Sequence, residues 1–126
     1  MIDALFNQSS YVAVKKMLDV NLMRHDAISS NLANIETPNY KRLDVPATFE
    51  AQLQQAVSNG DVEQISSMQP QLGIDPQAVC TRNDGNTVQL ESEVLKMNQN
   101  TIENAVETQL VNASLAKLRM AITGRS

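Results

Sequence analysis

Along the first third of the chain, Tyr11, Val14, Leu18, Leu22, His25, Ile28, Leu32 and Ile35 recur three or four residues apart. That spacing predicts one helix whose stripe is apolar except at His25. Ser9 or Ser10 suits its N-cap. About 26 residues at 1.5 Å rise give roughly 39 Å of helix, so the stripe needs a long partner. The other end of the chain offers one. Leu90, Val94, Met97, Thr101, Asn104, Thr108, Val111, Leu115, Leu118 and Ile122 alternate steps of four and three. Glu91 and Glu93 at the start of this run, and Lys117 and Arg119 near its end, match the helix dipole. Asn86, with Gln89 three residues on, is expected to cap the start, and Gly124 the end. The two helices are expected to pair as a coiled coil, parallel or antiparallel. Thr101, Asn104 and Thr108 would make the middle of that seam weak in an isolated pair.

Between the helices the pattern breaks. In Asn31-Leu32-Ala33-Asn34-Ile35-Glu36-Thr37-Pro38-Asn39-Tyr40-Lys41, Thr37 precedes a proline and is pushed out of the helical region. Pro38 presets one turn dihedral and Asn39 tolerates a left-handed one, which suits a type II turn. Pro46 and Thr48 can open a short helix with Phe49, Leu53 and Val57 on one face, stopped by Ser58-Asn59-Gly60. From Asp61 to Thr81 no period is sustained, and Pro70 and Pro76 interrupt. An extended loop and a segment disordered in the free chain both fit. Asp84-Gly85 marks a turn, and Val79–Arg82 with Thr87–Leu90 can form a short hairpin. The expected fold is mainly α. Its two long terminal helices form a coiled-coil-like pair beside an irregular, partly flexible middle that holds the short helix and the hairpin. Residues 1–42 are the first helix and turn, 43–89 the middle, and 90–126 the last helix, in one domain with the first.

Composition sharpens this picture. The chain has 126 residues, enough for one modest domain. Aromatic residues make up only 3% of it and tryptophan is absent. A large core is hard to build from such material. Either the chain is a marginal α-rich domain, or it completes its core against neighbours. Five Lys/Arg against four Asp/Glu leave residues 1–42 at +1. Residues 43–89 stand at −5 and residues 90–126 at 0. No basic stripe is available for phosphates, so nucleic acid is not the expected partner. No stretch approaches the roughly 20 apolar residues of a membrane span. The start, Met1-Ile2-Asp3-Ala4-Leu5-Phe6, does not read as a cleavable signal. The protein is expected either to stay in the cytosol or to be exported without one.

Candidate chemistry is sparse. His25, the sole histidine, lies on the apolar stripe and reads as a packed or solvent-edge side chain. Cys80 is the single cysteine, which excludes an internal disulfide and CxxC chemistry. Asp84-Gly85-Asn86 lacks the rest of a calcium loop. Four scattered glycines build no phosphate cradle. The expectation is no catalytic, metal or cofactor site, and no enzyme.

The Asn31–Lys41 stretch resembles the motif of bacterial flagellar rod and hook proteins: two asparagines three apart, Thr-Pro, a turn residue, Tyr and Lys. Arg24-His25-Asp26-Ala27-Ile28-Ser29-Ser30 fits as well. Short length, Phe49 after the turn, Asp84-Gly85-Asn86-Thr87-Val88 before Leu90-Glu91-Ser92-Glu93, and an ending through Ala121-Ile122-Thr123-Gly124 are similar to the proximal rod members. Family members usually carry Gly where Asn39 stands, and a tyrosine near Asn104. Residues 59–82 offer no anchor for the resemblance.

The resemblance implies a structural subunit of the proximal rod, exported by the flagellar type III apparatus and assembled in the periplasm into the rod that passes torque from motor to hook. Implied partners are other rod subunits, the adaptor protein of the basal-body ring and the export apparatus. Asn31, Leu32, Asn34, Thr37, Pro38, Asn39 and Tyr40 would form the assembly turn. Leu18, Ile28, Leu115, Leu118 and Ile122 would pack subunits, with contact inside the subunit an equal alternative at each. The competing readings are a cytosolic helical adaptor or export chaperone, and another axial protein such as the second proximal rod protein.

Overall fold

The protein is seen in a computed structural model that describes residues 9–124. It is mainly helical. In chain order the elements are α1 (Ser9–Ala33), β1 (Leu43–Asp44), α2 (Ala47–Asn59), α3 (Val62–Ser67), β2 (Gly73–Ile74) and α4 (Leu90–Thr123). The side chains of Ser9 and Ser10, the expected N-caps, lie outside the described residues.

α1 and α4 form the most extensive contact in the molecule. Asn31 of α1 meets Glu93, while Asn21 meets Asn100 and Glu107. The residue numbers run in opposite senses, so the helices are antiparallel. Their registers differ from the apolar stripes read in the sequence. On α1, Ala13, Val20, Asn21, Ala27, Ile28 and Asn31 face inward, while Leu22 is 65% exposed and His25 is exposed. On α4, Met97, Val111 and Leu118 of one expected line face inward, while Asn104 of the same line is exposed. The second line does not face inward, because Glu93, Asn100 and Glu107 replace Val94, Thr101 and Thr108. Polar partners across the seam hold those three residues, and this decides the rotation of the helix.

The apolar core adjoins the seam along the same broad face of α1. Ala13 and Val20 pack there with Val45, Phe49, Leu53, Ala56 and Ile65, and Met17, Met23, Val57 and Met68 close around them. α2 forms because Phe49, Leu53 and Ala56 fall on one face. Pro46, with φ −60°, precedes its first turn. Gly60, in the left-handed region at φ 67°, ends it, with its N–H bonded back to Val57 O at 3.0 Å.

Two expectations for the middle segment are corrected. Residues 61–67 are not a loop. Asp61 accepts from Gln64 N at 3.0 Å and so caps α3, whose Ile65 is fully buried. The hairpin of Val79–Arg82 with Thr87–Leu90 is not formed either. Among the described residues, β1 pairs with β2, antiparallel, with Leu43 opposite Ile74. Thr87 instead lies against the first turn region: its N–H donates to Tyr40 O at 3.0 Å and its Oγ1 accepts from Arg42 N at 2.9 Å. Those groups are therefore not free for Val79–Arg82.

α4 starts without a side-chain cap at Gln89. Asn86 does not cap it, contrary to expectation, because its Oδ1 accepts from Val88 N at 2.7 Å, before the helix begins. Glu91 and Glu93 occupy the first turn, and Gly124 at φ 66° ends the helix. Lys117 and Arg119 sit just before the last turn.

Candidate assembly site

α1 does not run on to Ile35. Asn34 N still bonds Ser30 O at 3.1 Å, but Thr37 N turns to Asn34 O at 2.9 Å and Tyr40 N to Thr37 O at 3.3 Å. Asn39 has φ 62°, the left-handed value that the third residue of a type II turn requires. Thr37 Oγ1 donates to Asn34 Oδ1 at 3.1 Å, and Asn34 Nδ2 donates to Ser30 O at 2.8 Å. Pro38 and Asn39 stand exposed at the tip, and Leu32 is half-buried beneath it.

Asn31 sits under this turn with no solvent exposure. Its Nδ2 donates to Leu43 O at 2.9 Å and to Glu93 Oε2 at 3.3 Å. Its Oδ1 accepts from Leu43 N at 2.8 Å and from Tyr40 Oη at 3.2 Å. All four of its hydrogen-bonding positions are filled. One side chain thereby ties α1, the turn, β1 and α4 together. Tyr40 Oη also meets Ser30 Oγ at 3.1 Å.

Asn86 plays the same part from the other side. Its Nδ2 lies 2.9 Å from Asn34 O, 3.1 Å from Ile35 O and 2.8 Å from Thr37 O, the carbonyls that line the turn after α1. Arg82 reaches Ile35 O as well, and Asp84 O accepts from Asn39 N at 2.8 Å. Gly85, at φ 79°, passes so close that a Cβ there would lie 2.4 Å from Asn39 Oδ1. Lys41 Nζ donates to Gly85 O at 2.8 Å.

Below Asn31 lies a buried charge cluster. Arg42 donates to Glu93 Oε1 at 2.6 Å, to Asp75 Oδ2 at 2.6 Å and to Asp44 Oδ2 at 3.1 Å. Asp44 in turn accepts from Arg24 at 3.1 Å, and Arg24 also holds Glu50. Burial works against the Arg42 charge, but the bonds from Glu93, Asp75 and Asp44 outweigh it and raise its pKa. For Asp44, burial pushes the pKa up, and Arg24 and Arg42 more than reverse that, leaving it below the usual carboxylate value.

The motif residues Asn31, Leu32, Asn34, Thr37, Pro38, Asn39 and Tyr40 are thus gathered at one end of the helix pair. The residues expected to pack subunits are scattered. Ile28 and Leu118 are covered within the chain, Leu18 is half-buried, and Leu115 and Ile122 stand 41% and 61% exposed. Sequence reasoning missed Arg42, Glu93 and Asn86 as partners of the turn. A lone charge at a helix start and an Asn beside a turn carry no sign of burial.

No family model matches the chain. It is similar to flagellar proteins from distant bacteria, which sets the class: a structural protein of the flagellar basal body. The flagellar basal body rod protein FlgB of Borrelia hermsii is 32% identical over 103 residues, spanning 68% of this chain and 74% of the relative. FlgB of Cereibacter sphaeroides is 32% identical over 111 residues, spanning 80% and 84%. FlgB of Aquifex aeolicus is 28% identical over 117 residues, spanning 89% and 91%. The chain belongs to the flagellar basal body rod protein FlgB family.

Proposed function

We propose that this chain is a structural subunit of the proximal rod, self-assembling through its terminal helices and helping to carry torque from motor to hook. The observation that carries this reading is the outward face of α4. Leu95, Ile102, Val106, Leu110 and Met120 are exposed there, and Leu115 and Ile122 are exposed on the side of the helix next to Leu118. Large apolar side chains left open along so much of one helix call for another surface to cover them. The rod names of the relatives support neighbouring rod subunits as that surface; the ring adaptor protein and the type III export apparatus are the further contacts of this reading. Export without a cleavable signal and a final place in the periplasmic rod follow from the same reading. No described helix is long and apolar enough to cross a membrane.

The test is deletion of the gene in its bacterium, scored by swimming and by electron microscopy of basal bodies. Rings without a rod, restored by the wild-type gene, support the reading. Intact rods in the deletion refute it and favour a cytosolic adaptor. Complementation with Ile122→Asp separates assembly from folding, because Ile122 is exposed: the chain stays folded and rods are lost. Leu118→Asp, at a covered position, weakens the fold as well.

A further inference from the structure

A groove of about 580 Å³ runs between α1, α2 and α4. Its floor is apolar, with Ala13 and Met17 from α1 and Leu53 and Val57 from α2. Its α4 wall carries Glu103 and Glu107, one helical turn apart. Neither forms an ion pair among the described residues, because the nearby Arg24 is taken by Asp44 and Glu50. Asn100 lines the same wall at 5% exposure, and its Oδ1 has no donor. Lys96 stands on the same wall, so Glu103 and Glu107 leave it with one negative charge in excess. Burial and the neighbouring Glu103 charge push Glu107 up to about 7, against the smaller opposing effects of Arg24 and Asn21. Burial is the larger cause, and the second carboxylate adds to it.

The ligand such a groove fits is an apolar helix face with a cation in its middle. The chain carries one. Leu115, Arg119 and Ile122 stand at i, i+4 and i+7 on α4, all exposed, and Arg119 has no ion pair among the described residues. We propose that the groove seats the Leu115–Arg119–Ile122 stripe of a second copy of this chain, with Arg119 paired to Glu103 and Glu107. The guanidinium presents several N–H donors and bears its charge on an apolar stem, which suits both the acidic wall and the apolar floor. This inference rests on the reading of the chain as an assembling rod subunit and deepens it by naming the contact.

The experiment uses two full-length chains in a Cys80→Ser background, one with Gln54→Cys in the groove and one with Ile122→Cys on the stripe. They are expressed together in the deletion strain, and disulfide links are read in isolated basal bodies. A link between the two differently substituted chains can only join copies. The expected result is that heterodimer link, reduced about tenfold by Glu103→Arg or by Arg119→Glu alone and restored when both are present. Rods without the link, singles that leave it unchanged, or a double that fails to restore it overturn the groove contact while leaving the rod role standing. A link from Gln54→Cys to a different protein overturns the second copy as occupant. Absence of the chain from basal bodies overturns the rod reading and this inference together.

Discussion

Removing one member of the buried Arg42–Glu93 pair should cost unequal amounts depending on which is removed. The Arg42 side chain is 5% exposed and that of Glu93 1%. Arg42→Met leaves Glu93 buried with one remaining bond, from Asn31 Nδ2 at 3.3 Å. Stranding a buried charge costs about 3–5 kcal/mol, and this case belongs at the upper end. Glu93→Gln leaves Arg42 with Asp75 and Asp44, whose side chains are about a fifth exposed. The guanidinium then still has two carboxylates, so the expected cost falls to about 2–3 kcal/mol. Removing both, as Arg42→Met with Glu93→Leu, should cost less than the two single losses added, by about 2 kcal/mol or more.

Urea unfolding of the purified chain, followed by far-UV circular dichroism at pH 7, measures all three. Typical domains have only about 5–15 kcal/mol of stability in total. Work at low temperature and in a stabilising salt therefore keeps the Arg42→Met baseline visible. Equal costs for the two single changes would falsify the reasoning. So would a double change whose cost is the plain sum, since that would mean the pair is not a unit.

Asn86→Ala removes the donor shared by the carbonyls of Asn34, Ile35 and Thr37, and should lower stability by about 2–4 kcal/mol in the same urea assay. Asn39→Gly relieves a left-handed residue and should be neutral or stabilising by up to about 1 kcal/mol. Gly85→Ala should be the costlier of two glycine changes, since Asn39 must give way there, whereas Gly60→Ala meets nothing within 4 Å; melting temperatures of the two variants compare them directly. Glu107 is raised in the fold, so the fold loses stability as pH climbs from the unfolded value near 4.5 through about 7. Glu107→Gln should therefore be more stable than wild type at pH 8, by about 1–2 kcal/mol after allowing for solvent screening, and equal to it at pH 4. Asp44 works in the opposite sense. Its stabilisation is present above its unfolded pKa and disappears as pH falls through the lowered folded value, so Asp44→Asn should flatten the acid limb of the stability profile.

The two helices and the turn were legible because each depends on local chemistry: spacing for the helices, Pro38 and Asn39 for the turn. The rotation of the helices was not legible. Pattern reading places apolar lines inside, and this chain buries Asn21, Asn31, Glu93 and Asn100 in the seam while leaving Leu22, Leu115 and Ile122 outside. One line of the α4 seam, Met97 to Leu118, is the same in both. The other moves by one residue, from Val94 to Glu93, which is about 100° around the helix. What makes that rotation stable lies far off in sequence: Arg42 waits for Glu93, and Asn21 O for Asn100 Nδ2 at 3.0 Å. An apolar seam would have joined α1 and α4 through the same surface that neighbouring chains would use. A polar seam with specific partners fixes their antiparallel register by hydrogen bonds and frees the apolar stripe. On the proposed reading, the apolar line and the buried line on α4 differ because they answer to different partners, one in another chain and one in this chain.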